Sequence, residues 1–136
     1  MKTLVLFYSY TGHTKARAQS LAEEESADLA EIKDVRRPGK LKAYTAGCLA
    51  SRGGKVWPIQ PLSLDWEAYD RLILLSPVWA GRPTPAVNAL LEQLPSGKSV
   101  SVKMVSGGGQ SGCKSRMEAA LQAKGCTLES FEDFKN

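Results

Sequence analysis

Leu4 to Tyr8 is an unbroken apolar run, and a run without polar alternation is what a strand covered on both faces requires. Thr14 to Glu25 then places Ala16, Ala18, Leu21 and Ala22 at helical spacing. Leu29 to Val35 reads as a second strand. Residues 36 to 69 are the least regular part, with a short helix over Leu41 to Leu49 and then Gly53, Gly54, Pro58 and Pro61 marking a long excursion. Leu72 to Leu75 is a third strand, apolar throughout, and Thr84 to Leu94 a helix that tolerates Pro85 in its first turn. Ser99 to Val105 is a fourth strand, Ser111 to Lys124 a helix ended by Gly125, and Thr127 to Phe134 a weaker fifth strand. Strand and helix alternate, so the expected class is α/β: a doubly wound parallel sheet with right-handed crossovers and helices on its faces.

The length of 136 residues fits a single domain spanning 1–136 that buries roughly two thirds of its unfolded surface unaided. Residues 1 to 8 lack a cleavage signal, and no stretch approaches the roughly 20 apolar residues of a membrane span. Cys48, Cys113 and Cys126 form neither a disulfide framework nor a zinc motif. The expectation is a cytoplasmic protein that does not engage a membrane. Charge is uneven: Lys33, Arg36, Arg37, Lys40, Lys42, Arg52 and Lys55 stand against Asp34 alone, while Glu129, Glu132 and Asp133 gather near residue 136. The basic stretch reads as a solvated face, or as a dock for an acidic partner or anionic ligand. It lacks interleaved aromatics and any nucleic-acid module, so no nucleic acid is expected.

In a parallel sheet of this kind, ligands bind beyond the carboxyl ends of the strands. Three turns rich in small or hydroxyl residues lie there: Ser9-Tyr10-Thr11-Gly12-His13-Thr14, Ser76-Pro77-Val78-Trp79-Ala80-Gly81-Arg82 and Ser106-Gly107-Gly108-Gly109-Gln110-Ser111-Gly112. The first joins a strand to a helix. Helix-start amides, the positive end of the helix dipole and the hydroxyls of Ser9, Thr11 and Thr14 together suit a phosphate. The turn has neither the triphosphate-loop nor the dinucleotide spacing, and it lacks the Cys and Arg of a phosphatase loop, so a phosphate held and not cleaved fits best. Alone, the same seam would serve as an N-cap. Trp79 reads as a ligand wall or a core aromatic, and the glycine run as close backbone approach or a connector. His13, the single histidine, has no evident proton to move; Cys113 reads as a structural thiol. Whether Tyr44 or Arg52 covers a ligand is left open.

Ser9-x-Thr11-Gly12-x-Thr14 resembles the phosphate loop of the flavodoxin-like flavoproteins, correctly placed after an N-terminal strand. Ser76-Pro-Val-Trp-Ala-Gly-Arg-Pro-Thr-Pro, running into Ala86 to Leu91, is similar to that family's second flavin loop and the helix behind it. The resemblance covers nearly the whole chain. It implies a five-stranded sheet in the order 2-1-3-4-5 and FMN as cofactor, with the phosphate on Ser9, Tyr10, Thr11, Gly12, His13 and Thr14. It places the isoalloxazine between Pro77, Val78, Trp79, Ala80, Gly81, Arg82 and Ser106, Gly107, Gly108, Gly109, with a backbone N–H near Ala80 or Gly81 facing flavin N5. The chain departs from the pattern in its sequence pI of 9.0, since familiar flavodoxins are acidic, and in lacking the helix that normally follows the fifth strand.

The expected function is electron transfer by bound FMN, with no side chain catalytic and no metal. As a carrier the chain would serve a redox partner protein; as an enzyme it would pass hydride from a nicotinamide to a quinone-like acceptor. A phosphoacceptor signalling module would want acidic residues where Ser9 and Ser76 stand. Monomer and homodimer are both open. Val100, Val102 and Met104 alternate with Ser99, Ser101 and Lys103, so the fourth strand is expected to be helix-covered on one face only. The other face would be solvated or, with Phe131 or Phe134, the contact of a homodimer.

Overall fold

In a computed structural model, which describes residues 2–135, five strands form one parallel sheet. They are β1 (Lys2–Phe7), β2 (Asp28–Glu31), β3 (Tyr69–Pro77), β4 (Ser99–Ser106) and β5 (Thr127–Lys135), in the order β2-β1-β3-β4-β5. The helices are α1 (His13–Glu24), α2 (Lys40–Lys42), α3 (Cys48–Arg52), α4 (Pro85–Gln93) and α5 (Lys114–Ala123). A π-helical turn, Ala43–Gly47, joins α2 to α3, and a 3-10 turn covers Trp66–Ala68.

The apolar strands occupy the centre because both of their faces are covered. Val5 and Phe7 of β1 and Ile73 and Leu75 of β3 pack under Ala18 and Ala22 of α1. On the opposite face Leu4, Leu6, Leu72, Leu74, Val100, Val102 and Met104 meet Val87, Leu90 and Leu91 of α4 and Met117 and Leu121 of α5. Each large side chain fully buried here contributes about 1.5–3 kcal/mol. Thr84 starts α4: its hydroxyl accepts the Val87 N–H at 3.3 Å, with Pro85 just inside the helix.

Three expectations need correction. β2 stops at Glu31, not Val35, because the chain bends so that Asp34 bridges Ile59 of the excursion. The last helix starts at Lys114 instead of Ser111, since Gly112 has φ 67° and the Ser111 hydroxyl donates to Asp133 at 2.7 Å. The fourth strand's second face is free of a helix among the described residues, but it is not simply solvated. Ser101 is 2% exposed beneath Glu129, to whose carboxylate it donates at 3.0 Å, and Lys103 donates to Glu132 at 2.6 Å. Arg71 pairs with Glu129 at 3.0 Å and Glu25 at 3.6 Å, and the cations of Arg17 and Lys103 lie over the Phe134 ring. A charged cover has taken the place of a helical one. Phe131 takes no part, because it packs against the core of the opposite face.

Candidate functional site

The three turns lie side by side at the carboxyl end of the sheet. In the first, Gly12 takes φ 102°, a conformation open to glycine, and its N–H donates to the Ser9 hydroxyl at 3.1 Å. Gly12 is the residue from which α1 starts, and no side chain caps that end. The first-turn amides of His13, Thr14 and Lys15 therefore point outward with no intrahelical acceptor. Thr14 is buried, while Thr11, Gly12 and His13 are exposed. Local hydrogen bonding thus shapes the turn and leaves the positive end of the helix open.

The second turn is a tight hairpin. Trp79 and Arg82 exchange backbone hydrogen bonds of 2.9 and 3.1 Å across Ala80 (φ 52°) and Gly81 (φ 74°). Ala80 is thus one of two non-glycine residues in the left-handed region among the described residues, a strain of about 1–3 kcal/mol at the tip. Trp79 is half-buried, edge-on to Tyr8, Tyr10 and Trp57 with centroid separations of 6.1, 5.7 and 6.5 Å. It packs against the core, and its remaining surface lines a cavity. That cavity, of about 460 Å³, is walled by Tyr10 and Thr11 of the first turn, Val78, Trp79 and Ala80 of the second, and Lys40, Ala43, Tyr44 and Cys48. Its size falls in the ligand-pocket range of roughly 300–1,000 Å³.

In the third turn, the Ser106 hydroxyl accepts the Gly109 N–H at 2.9 Å, and Gly109 sits against Lys135. The turn reaches the second through Gly81, beside the Ser111 carbonyl. Gly107, Gly108 and Gly109 do not line the 460 Å³ cavity, whose remaining wall comes from Lys40, Ala43, Tyr44 and Cys48. Gly12 and His13 line a neighbouring hollow over α1 with Ala16, Arg17 and Ser20, and Ser9 a third beside Asp34 and Arg37. Pro77 closes β3, and Arg82 is half-buried, donating to the Gly81 carbonyl at 3.1 Å.

Sequence reasoning left Tyr44 open and passed over Lys40, Ala43 and Cys48, all of which wall the cavity, whereas Arg52 does not line it. It also missed the struts that hold the first turn. The Tyr8 hydroxyl donates to Asp34 at 2.5 Å, Tyr10 donates to the Pro38 carbonyl at 2.9 Å, and Arg37 both donates to the Tyr10 carbonyl and stacks on its ring at 4.4 Å. Asp34 is 8% exposed, and its Oδ1 makes no hydrogen bond among the described residues. Burial pushes the Asp34 carboxyl up, against the opposing pull of the Tyr8 hydrogen bond and of Arg37 and Lys42. Burial, with the Asp34 hydrogen bond adding, raises the Tyr8 phenol far above its ordinary value. Burial also raises the Cys113 thiol, in keeping with a structural role. Among the described residues, no His, Cys, Asp and Glu cluster suits a metal, and no helix is long and apolar enough to cross a membrane.

No protein-family model matches the chain, and no curated protein matches it significantly. Solved structures do. A flavoprotein from Lactobacillus acidophilus NCFM, in complex with FMN, is 27% identical over 96% of this chain and 91% of its own, with a TM-score of 0.82. A candidate flavoprotein from Bacteroides eggerthii DSM 20697 shares the fold at 19% identity, TM-score 0.84, over 96% and 86% of the two chains. The two-electron reduced Megasphaera elsdenii flavodoxin shares it at 14% identity, TM-score 0.58, over 96% and 83%. With the strand order β2-β1-β3-β4-β5 and a hydroxyl-rich turn feeding an uncapped first helix, these likenesses show that the chain has the flavodoxin-like fold.

Proposed function

We propose that the chain binds FMN and works as an electron carrier in the cytoplasm. One observation carries the reading: an uncapped helix start, framed by Ser9, Thr11 and Thr14, adjoins a cavity walled by Tyr10, Tyr44 and Trp79. An anion suits the first and a flat aromatic ring the second, and FMN joins the two. The Lactobacillus acidophilus flavoprotein, which was crystallised with FMN, supports the same ligand here.

In this reading the amides of His13, Thr14 and Lys15 and the hydroxyls of Ser9, Thr11 and Thr14 hold the phosphate. Tyr10, Tyr44, Val78, Trp79 and Ala80 exclude water from the ring, and the backbone N–H groups at the hairpin tip face its edge. Bound FMN supplies the redox chemistry by accepting and donating electrons, and the protein supplies position and electrostatics. Asp34 and Arg37 act at one remove, fixing Tyr8 and Tyr10 and through them the wall made by Trp79. The carrier is preferred to a nicotinamide-dependent reductase because the sequence carries no second nucleotide motif.

Titration of the purified chain into FMN, followed by flavin fluorescence, tests the ligand. Stoichiometric quenching by FMN with much weaker binding of riboflavin is expected; equal affinities would refute a phosphate-centred site. Rapid saturable oxidation of NADH or NADPH by the loaded protein would refute the carrier and establish the reductase.

A further inference from the structure

We propose that the face built by residues 35–56 is a docking surface for an acidic protein of the electron-carrier class. The purpose of the surface rests on the flavin reading above, but the surface itself stands on charge, exposure and position.

Lys33, Arg36, Arg37, Lys40, Lys42, Arg52 and Lys55 are all exposed. The single acid among them, Asp34, is turned inward against Tyr8. None of the seven cations forms an ion pair among the described residues. Arg37 is engaged by Tyr10, and Lys42 lies over the Trp57 ring at 5.3 Å. Lys33, Arg36, Lys40, Arg52 and Lys55 are left presenting charge to solvent. At the far edge of the sheet the carboxylates of Glu129 and Glu132 are already paired with Arg71 and Lys103. Cations therefore outnumber acids seven to one over residues 33–55, a local excess of positive charge that no ion pair among the described residues offsets.

That face also carries exposed apolar surface. Of the six large apolar side chains left exposed among the described residues, five lie within 35–56: Val35, Leu41, Tyr44, Leu49 and Val56. Tyr44 is 84% exposed, Leu41 79% and Leu49 67%. Apolar side chains ringed by charges of one sign have the anatomy of a protein interface, an apolar centre within a polar rim, and the ring selects a partner of opposite charge. A second copy is disfavoured, since two such faces would bring like charges together.

Position completes the argument. Lys40, Tyr44 and Cys48 belong to this stretch and wall the cavity, so a protein seated on Leu41 and Leu49 rests on the segment that forms that wall. Long-range attraction between the cations and an acidic surface would steer encounters to that point and weaken as salt screens it.

Calorimetric titration with an acidic plant-type [2Fe–2S] ferredoxin tests the proposal on both the FMN-free and the FMN-loaded chain. The ferredoxin should bind both, with affinity falling about tenfold or more between low and physiological salt. Arg36→Glu with Arg52→Glu should weaken it about tenfold or more, and Leu41→Ser with Leu49→Ser should weaken it while keeping the salt dependence. Lys2→Glu, at the amino end of β1 and away from the face, should leave it unchanged, and FMN affinity should be the same in all these variants. Absence of ferredoxin binding, salt-independent binding, or equal loss in the Lys2 control would overturn the proposal. So would preference for a basic c-type cytochrome, or binding only to phosphatidylserine vesicles. Failure of FMN to bind would remove the flavin reading and leave the ferredoxin titration of the FMN-free chain intact; FMN uptake without ferredoxin binding would remove the docking surface alone.

Discussion

Gly47→Ala sets two effects of known sign against each other. Gly47 has φ −65° and ψ −45°, ordinary helical values, so alanine would enter without backbone strain and gain about 1 kcal/mol in helix propensity. Its Cβ, however, would fall 2.7 Å from Trp79 Cζ3, 3.1 Å from Cε3 and 3.3 Å from Trp57 Cη2. Carbon atoms prefer roughly 3.5–4.0 Å, so the Trp79 ring must retreat by about 1 Å. It has little room, being edged by Tyr8, Tyr10 and Trp57, and overpacking of this kind costs about 1–3 kcal/mol. We expect the steric cost to win, for a net loss of about 1 kcal/mol and a melting temperature lower by about 3 °C. Because Trp79 walls the cavity, tryptophan fluorescence should shift as well. Thermal melts followed by circular dichroism, run as a double-mutant cycle with Trp79→Leu, give the decisive comparison. In the Trp79→Leu background Gly47→Ala should become neutral or stabilising. An equal cost in both backgrounds, or a wild-type chain stabilised by Gly47→Ala, would refute the claim that glycine is present to admit the indole.

Thr11→Ala should weaken FMN binding by about 1–2 kcal/mol, read by fluorescence titration, through loss of a hydroxyl contact with a charged group. Gly12→Val should weaken it further, because φ 102° is strained for valine and the side chain blocks approach to the helix start; riboflavin binding should change little in either variant. Trp79→Ala should alter the absorbance and potential of bound flavin, and an unchanged spectrum, potential and affinity would remove Trp79 from the ligand's wall. Asp34→Asn tests the buried carboxyl. Its value is raised above the ordinary 3.8, so the wild-type chain should lose stability as pH rises from about 3.8 through the raised value, a loss the amide escapes. Denaturant unfolding across acid to neutral pH should therefore show the variant gaining on the wild type over that window; a gain by the wild type would contradict the assignment.

The central strands and the first strand-to-helix seam were legible because local pattern carries them, whereas the order β2-β1-β3-β4-β5 was implied by the family resemblance and not by any local pattern. An apolar run such as Leu4 to Tyr8 can be buried only in the middle of a sheet covered on both faces, and Ser9 to Thr14 lies at a strand-to-helix seam whose position follows from the change of period. The alternation of Ser99, Ser101 and Lys103 likewise announced a face without a helix. What covers that face was not legible, since Glu129, Glu132 and Phe134 come from β5 and Arg17 from α1, and they meet over Ser101 and Lys103 through the parallel register of β4 against β5 and the packing of α1 on the sheet. The cavity wall was hidden for the same reason. Lys40, Ala43, Tyr44 and Cys48 sit in an irregular stretch with no diagnostic period, and they become a wall only where Gly47 lets that stretch close onto Trp79, some thirty residues away in sequence. Periodicity records which faces of an element are buried. Which distant side chains meet there is decided by the packing of whole elements, and the sequence does not encode that locally.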